Sequence, residues 1–379
     1  MSVSSPLVCL LEQIIDAELP WTEVQGFASG DTFETFKDGD QVSSLGHLGL
    51  IKLKAEHEGV DSMEFSVRAM NSAAQNGFLD VVEYLHQNRS EGCTDNAVDY
   101  AAANGHLAVV EFLTGSARRT YTPYALDGAA SGGHLRVIQY LHRHGYIGAT
   151  TGAVDWAAMN GHLEVVEWLL ENRKEGGTTV ALDHAAGNGH LAVVEWLTRR
   201  GPRPGATPCA LDCAARKGHL AVVEWLSKNR KEGGTQYGMD GAAAGGHLST
   251  VEWLHHNRNE GCTTSAMDWA AMNNHMHVLL WLHKNRTEGF TSAALNAAAG
   301  HGCLEVVRWL LGSSGGGPHM HPTEQQLHRA LSLARLNKQH KVAFFLESVV
   351  ARTTVNHDGG HQAAGELVAA SMAPEAPFA

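Results

Sequence analysis

Apolar positions between residues 66 and 312 fall at helical rather than strand spacing, and the pattern returns with a fixed period. The anchor is a turn position, Gly77, Gly105, Gly133, Gly161, Gly189, Gly218, Gly246, Asn274 and Gly302. Of its eight intervals, seven are 28 residues and one is 29. Four and three places before each anchor stand two alanines, from Ala73 and Ala74 to Ala298 and Ala299. Leucine or methionine follows two places after, mostly valine at four and five, an aromatic residue at seven and leucine at eight. Fixed-period self-similarity of this kind marks a repeat architecture, with each period one small supersecondary unit.

Each unit is predicted to be a helix, a tight turn and a second helix. The first helix covers stretches such as Ala181 to Ala186. Asn-Gly closes it, because glycine and asparagine best tolerate the left-handed geometry at a helix end. The connector after the second helix, as in Asn257 to Thr263, is polar and carries glycine, which marks a reversal without strand alternation.

Residues Ala185-Ala186-Gly187-Asn188-Gly189-His190-Leu191, and Ala157 to Val166, resemble the helix end, turn and helix start of the ankyrin repeat family. The resemblance covers about residues 66 to 312. Two departures stand out. The period is 28 where the family has about 33, and the family's Thr-Pro-Leu-His opening is replaced by forms such as Ala125-Leu126-Asp127. The resemblance therefore implies an all-α solenoid of ankyrin-like repeats, with short loops in place of the projecting β-hairpin fingers. Contacts that the family makes through finger tips do not carry over.

The expected organisation has four parts. Residues 1–65 form an amino-terminal cap with a degenerate first repeat, in which Gly46-His47-Leu48 follows Val42 and Ser43 instead of an alanine pair. Residues 66–312 hold nine regular repeats. Residues 313–350 hold a loop and a capping repeat around Ala330 to Ala334 and Val342 to Leu346, the altered sequence being expected of terminal units. Residues 351–379, small and polar with Pro374 and Pro377, have the composition of a disordered tail. One amphipathic helix is expected at Leu7 to Leu19.

Charge narrows the field. With 28 basic and 40 acidic side chains the net charge is −12, the wrong sign for a general nucleic-acid binder, and it mildly favours a basic partner through steering. Six cysteines without a CxxC pair suggest free thiols in a reducing compartment. No stretch approaches the roughly 18 apolar residues of a membrane helix, and no secretory signal opens the chain. The expected setting is the cytoplasm, with the nucleus as the alternative, and the expected state a monomer that binds neither nucleic acid nor membrane.

Two columns invite chemistry: histidine directly after the anchor (His106, His134, His162, His190, His219, His247, His275) and aspartate six before it (Asp99, Asp127, Asp155, Asp183, Asp212, Asp240, Asp268). Packed helices lie about 8–10 Å apart, whereas zinc ligands sit about 2 Å from a shared ion. Each column is thus a ladder, and neither metal nor cofactor is expected. The aspartates are expected near the third helical position, meeting the helix dipole, with capping-box spacing at Asn96 and Asp99 and at Ser265 and Asp268. The aromatic column is expected to fill the gap between neighbouring second helices. Nucleophile elbow, phosphate loop, HExxH and dinucleotide signatures are missing. The chain is expected not to be an enzyme.

Variable columns then carry the function. Five and two places before the anchor, the first helix offers Tyr100, Trp156, Met159, His184, Arg216, Trp269 and Met272 as partner-binding residues. Tyrosine, tryptophan and arginine are favoured in binding hot spots. In the ankyrin fold the first helices line the concave face, so the resemblance implies a protein partner there. The tryptophans carry a second reading, as fillers of the gaps left by Gly128 and Gly241. The function expected is a protein-interaction scaffold or adaptor. The alternatives are the substrate-recognition subunit of a ubiquitin ligase, with residues 1–40 docking to the machinery, and a metal-dependent hydrolase built on the His and Asp columns.

Overall fold

A computed structural model describes residues 38–59, 62–115, 120–145, 148–200, 205–312 and 320–358. These hold 22 α-helices, and the only β-bridge among them is an isolated one between Asp38 and Glu64. The chain divides into two compact units, Met1–Ala210 and Leu211–Ala379.

In the first unit, helix hairpins follow one another: α1 (Gly39–Ser44) and α2 (Leu48–Glu58), α3 (Val67–Gln75) and α4 (Leu79–Asn88), α5 (Asn96–Ala103) and α6 (Leu107–Gly115). Next come α7 (Pro123–Ser131) and α8 (Leu135–Arg143), α9 (Gly152–Met159) and α10 (Leu163–Asn172), α11 (Thr179–Gly187) and α12 (Leu191–Arg199). Helix α13 (Pro208–Arg216) contains the division. The second unit continues with α14 (Leu220–Asn229), α15 (Gln236–Ala244) and α16 (Leu248–Asn257), then α17 (Thr264–Met272) and α18 (Met276–Asn285). It ends with α19 (Ser292–His301) and α20 (Leu304–Leu310), α21 (Glu324–Leu336) and α22 (His340–Asp358).

First helices pack on first helices, as α5 on α7 and α15 on α17, and second helices pack on second helices. Every alanine of the nine pairs is fully buried, which is what lets the first helices approach closely. The core is completed by the valine and leucine positions of the second helices, such as Val165, Val166 and Leu169. Among the described residues the connectors are loops without a hairpin. Within them Arg89, Arg173, Arg230, Arg258 and Arg286 each fork onto the glutamate two residues on. The Nε of Arg173 donates to Glu175 Oε2 at 3.2 Å, giving the bidentate geometry that suits guanidinium and carboxylate.

The turn explains the anchor column. Gly161 has φ +80°, and a Cβ there would lie 2.5 Å from Nδ1 of His190 in the following hairpin. Glycine is thus required both by the left-handed backbone and by the imidazole resting on it. The histidines bind backward as well: His162 Nε2 lies 3.0 Å from the Ser131 carbonyl oxygen. Asn160 Nδ2 donates to the same carbonyl at 2.9 Å, and Asn188 Nδ2 to that of Met159 at 2.7 Å. Carbonyls left open at the end of one first helix are therefore capped by the turn of the next hairpin.

The aspartate column has a different role from the one expected. Asp99 and Asp155 do stand in the first turn of α5 and α9, as expected, but α11 and α17 begin earlier than the sequence suggests, at Thr179 and Thr264, which places Asp183 and Asp268 beyond it. Neither capping box forms. The cap of α17 is Thr263, and Asp95, which precedes Asn96, makes no side-chain cap bond. Each aspartate instead accepts two hydrogen bonds from a threonine one hairpin further on. Asp240 takes the backbone N–H of Thr263 at 2.7 Å and its hydroxyl at 2.6 Å, and Asp99, Asp127, Asp155, Asp183, Asp212 and Asp268 do the same. The same threonine hydroxyl accepts the N–H two residues later, as Thr263 does from Ser265. One hydroxyl caps its own helix and ties it to the hairpin before.

The aromatic column bridges neighbouring second helices, as expected, though not in the core. Its rings do lie against the preceding second helix, but at the solvent edge: all are half-buried except Trp309. They meet histidines edge-on, as His142 with Trp168 at 5.1 Å and His255 with Trp281 at 5.2 Å. Helix α22 continues through Asp358, beyond residue 351 where the composition turns tail-like. Residues 359–379 and the expected helix at Leu7 to Leu19 lie outside the described residues.

Candidate partner-binding face

On α5, α7, α9 and α11 the only Asp, Glu, Lys or Arg is the buried, threonine-bound aspartate. Outward, these helices show Tyr100, Tyr124, Trp156, Val180 and His184 exposed and Met159 half-buried. Tyr100 and Tyr124 meet edge to face at 6.2 Å, and His184 Nδ1 lies 3.3 Å from Met159 Sδ. In the second unit Arg216 is exposed, while Trp269 and Met272 are half-buried. Trp269 packs edge-on against exposed Tyr237 at 5.9 Å. Tyr100, Trp156, Met159 and His184 thus belong to one unit, and Trp269 and Met272 to the other.

Trp156 keeps an exposed face beside Gly128, whereas Trp269 is half-buried against Tyr237. A Cβ on Gly128 would meet Ala103 at 2.8 Å, and one on Gly241 would meet Arg216 at 2.9 Å. The space beside each glycine is taken by the preceding first helix. Trp156 keeps 37% of its surface exposed.

Tyr124 and Tyr237 were missed by the sequence reading. Both stand nine places before the anchor, and both precede by four residues a glycine in the column five before it, Gly128 and Gly241. A large residue one turn from a glycine on the same face was the available signal. The threonine column eleven before the anchor, from Ser66 to Thr291, was equally legible as a periodic feature.

Burial raises Asp99, Asp127, Asp212 and Asp240 above the usual carboxylate range, against the pull of the threonine bonds. Burial lowers His134, His247 and His275, against the pull of their carbonyl partners. It also pushes the Cys262 thiol up to about 11, so this thiol stays protonated at neutral pH and is a poor nucleophile. Among the described residues no three His, Cys, Asp or Glu side chains group to hold a metal ion. Nor is any helix among them long and apolar enough to cross a membrane.

Stacked helix hairpins with a constant interior and a variable outward strip define a repeat-type protein-interaction module. The ankyrin repeat model of three copies matches residues 100–180, 126–208, 155–236 and 239–322, and a model of many copies matches 72–114. The chain belongs to the ankyrin repeat family. Among solved structures, the human ASB11 ankyrin repeat domain is similar at 21% identity and a TM-score of 0.37, over 46% of this chain and 90% of that one. No curated protein matches.

Proposed function

We propose that the chain is a non-catalytic adaptor whose first helices hold a partner protein on their variable positions. The observation that carries this is the exposed aromatic strip of α5, α7, α9 and α11. The stacking uses alanine, asparagine, histidine, aspartate and threonine, and it has no need of Tyr100 or Trp156. Arg216, Trp269 and Met272 extend the same reading to the second unit. Exposed contiguous aromatic surface on a soluble domain is characteristic of interaction sites, and tyrosine, tryptophan and arginine supply binding anchors.

The test is affinity capture from native extract with the wild-type chain and with a variant carrying Tyr100→Ala, Met159→Ala, Arg216→Ala and Met272→Ala. Circular dichroism checks that both fold. Loss of a specific captured protein by the folded variant is expected. Equal capture would remove these columns as the binding face.

A further inference from the structure

Resting on that reading, we propose that the face of the first unit takes a basic partner segment, anchored by arginine side chains stacked on Tyr100, Tyr124 and Trp156. Charge is the first reason, and it separates the two units. Residues 1–210 carry 26 acidic and 14 basic side chains and residues 211–379 carry 14 of each, so the whole net charge of −12 belongs to the first unit. The described residues of that unit alone hold 19 acidic and 10 basic side chains. The first helices of the second unit also present a cation of their own, exposed Arg216. Electrostatic complementarity therefore directs a cationic segment to the first unit.

Anions also lie under the strip itself. On α5, α9 and α11 the residue directly before Tyr100, Trp156 and His184 is a buried aspartate, Asp99, Asp155 and Asp183, and Asp127 is its counterpart on α7. Each accepts from a threonine N–H and hydroxyl, neutral donors that satisfy the carboxylate without cancelling its charge. The guanidinium that acts on Asp127, that of Arg173, is already forked onto Glu175. No lysine or arginine stands on these four helices to neutralise the row. Charges inside a protein are screened less than charges in water, so the strip is anionic in potential while showing no carboxylate.

Ring chemistry is the second reason, and it selects arginine. Tyr100, Tyr124 and Trp156 are all exposed. Tyr100 and Tyr124 meet at 89°, a pairing that covers one ring face and leaves the other three free of it. Aromatic faces are negative and attract cations, tryptophan most strongly. With no exposed carboxylate on α5, α7, α9 and α11 to hold a compact, strongly hydrated ammonium, the planar and weakly hydrated guanidinium is the better fit. The chain already sets its own cations on rings: Arg89 lies over Phe65 at 4.7 Å, Arg308 over Phe345 at 5.6 Å and Lys52 over Tyr84 at 5.8 Å.

The test is selection of random twelve-residue peptides displayed on phage, using the full chain as bait at about 0.15 M salt, with counter-selection on the Tyr124→Ala/Trp156→Ala variant. Expected is convergence on sequences that share arginine. Synthetic peptides of that consensus should lose at least about tenfold in affinity for this variant, and at least about threefold for Trp156→Leu, which keeps apolar bulk but removes the ring face. Thermal unfolding of both variants should match the wild type. On the wild type, replacing the arginines of the peptide by lysine should cost at least about threefold. Glu111→Gln/Glu164→Gln/Glu171→Gln, on the second helices, should change the affinity less than about threefold. Convergence on sequences without arginine, or no convergence, overturns the proposal. So does equal affinity for Trp156→Leu, equal binding of the lysine peptide, or a loss confined to the glutamine variant, which would put the segment on the acidic second helices instead. If the peptides fail while capture of a cellular partner still depends on Tyr100 and Met159, only the ligand chemistry is wrong and the adaptor reading survives.

Discussion

Asn274 stands where the other eight anchors are glycine, with φ +62°, and the residue that would rest on it is Cys303 instead of histidine. The two departures fit each other. Asparagine tolerates the left-handed region better than other side chains, and the smaller thiol leaves room for its Cβ while reaching toward the Met272 carbonyl at 3.6 Å. Cys303→His alone is expected to destabilise the chain by about 1–3 kcal/mol through overpacking. Asn274→Gly should restore much of the loss, with a coupling of roughly 0.5–3 kcal/mol in a double-mutant cycle by thermal or urea unfolding. The threonine tie has a natural variant too. At Asn71, Nδ2 donates to the Thr94 hydroxyl and Oδ1 accepts its N–H, and Thr94 then caps no helix, since Asp95 takes the cap position. Thr263→Val, which removes the cap and the hydroxyl half of the tie while keeping the backbone N–H bond to Asp240, should cost about 1–3 kcal/mol. Asp240→Asn should cost less, because the asparagine arrangement already exists.

At the scale of the hairpin, the buried aspartates and the connector forks respond to acid in opposite senses. A carboxyl whose folded pKa is raised binds protons more tightly when folded. Its contribution is present below the unfolded value and is lost as pH rises through the folded one. Asp240 is of this kind, so Asp240→Asn should become less destabilising as pH rises from the unfolded carboxyl value through the folded one. Glu91, Glu232 and Glu260 are held below their ordinary value chiefly by hydrogen bonds from Arg89, Arg230 and Arg258. That contribution is present above the unfolded value and fades as pH falls through the folded one. Glu260→Gln should therefore cost stability at neutral pH and cost nothing once the wild-type carboxylate is protonated. Urea midpoints of the three proteins, followed from neutral pH down to below the unfolded carboxylate value, check both signs. The turn histidines add an acid sensitivity of their own: with folded values lowered by burial, His134, His247 and His275 favour the folded state above their unfolded value and withdraw that support as pH falls.

At the scale of the whole molecule, the ties between hairpins join like positions, so they are indifferent to which hairpin comes next. Removing residues 150–177, one period of 28, joins Ala149 to Thr178 and lets Asp127 meet Thr178 as it now meets Thr150. The shortened chain should keep its helical content per residue by circular dichroism and unfold cooperatively, as nearest-neighbour stability of repeat proteins implies. Removing 14 residues from the same place should not. Within the array the sequence by itself determined the helix pairs, the turns and the class, because period, alanine pairs and leucine positions are local and recur nine times. It did not determine what the polar columns do. Asp240 and Thr263 are 23 residues apart, so their pairing exists only once two hairpins are stacked. Read within one helix, the aspartate passes for a dipole partner. The same holds for the outward strip: Trp156 could be core or surface until the neighbouring first helix was seen to fill the space beside Gly128. Exposure is a property of packed neighbours, so the tertiary structure alone decided which aromatic rings stay exposed to solvent.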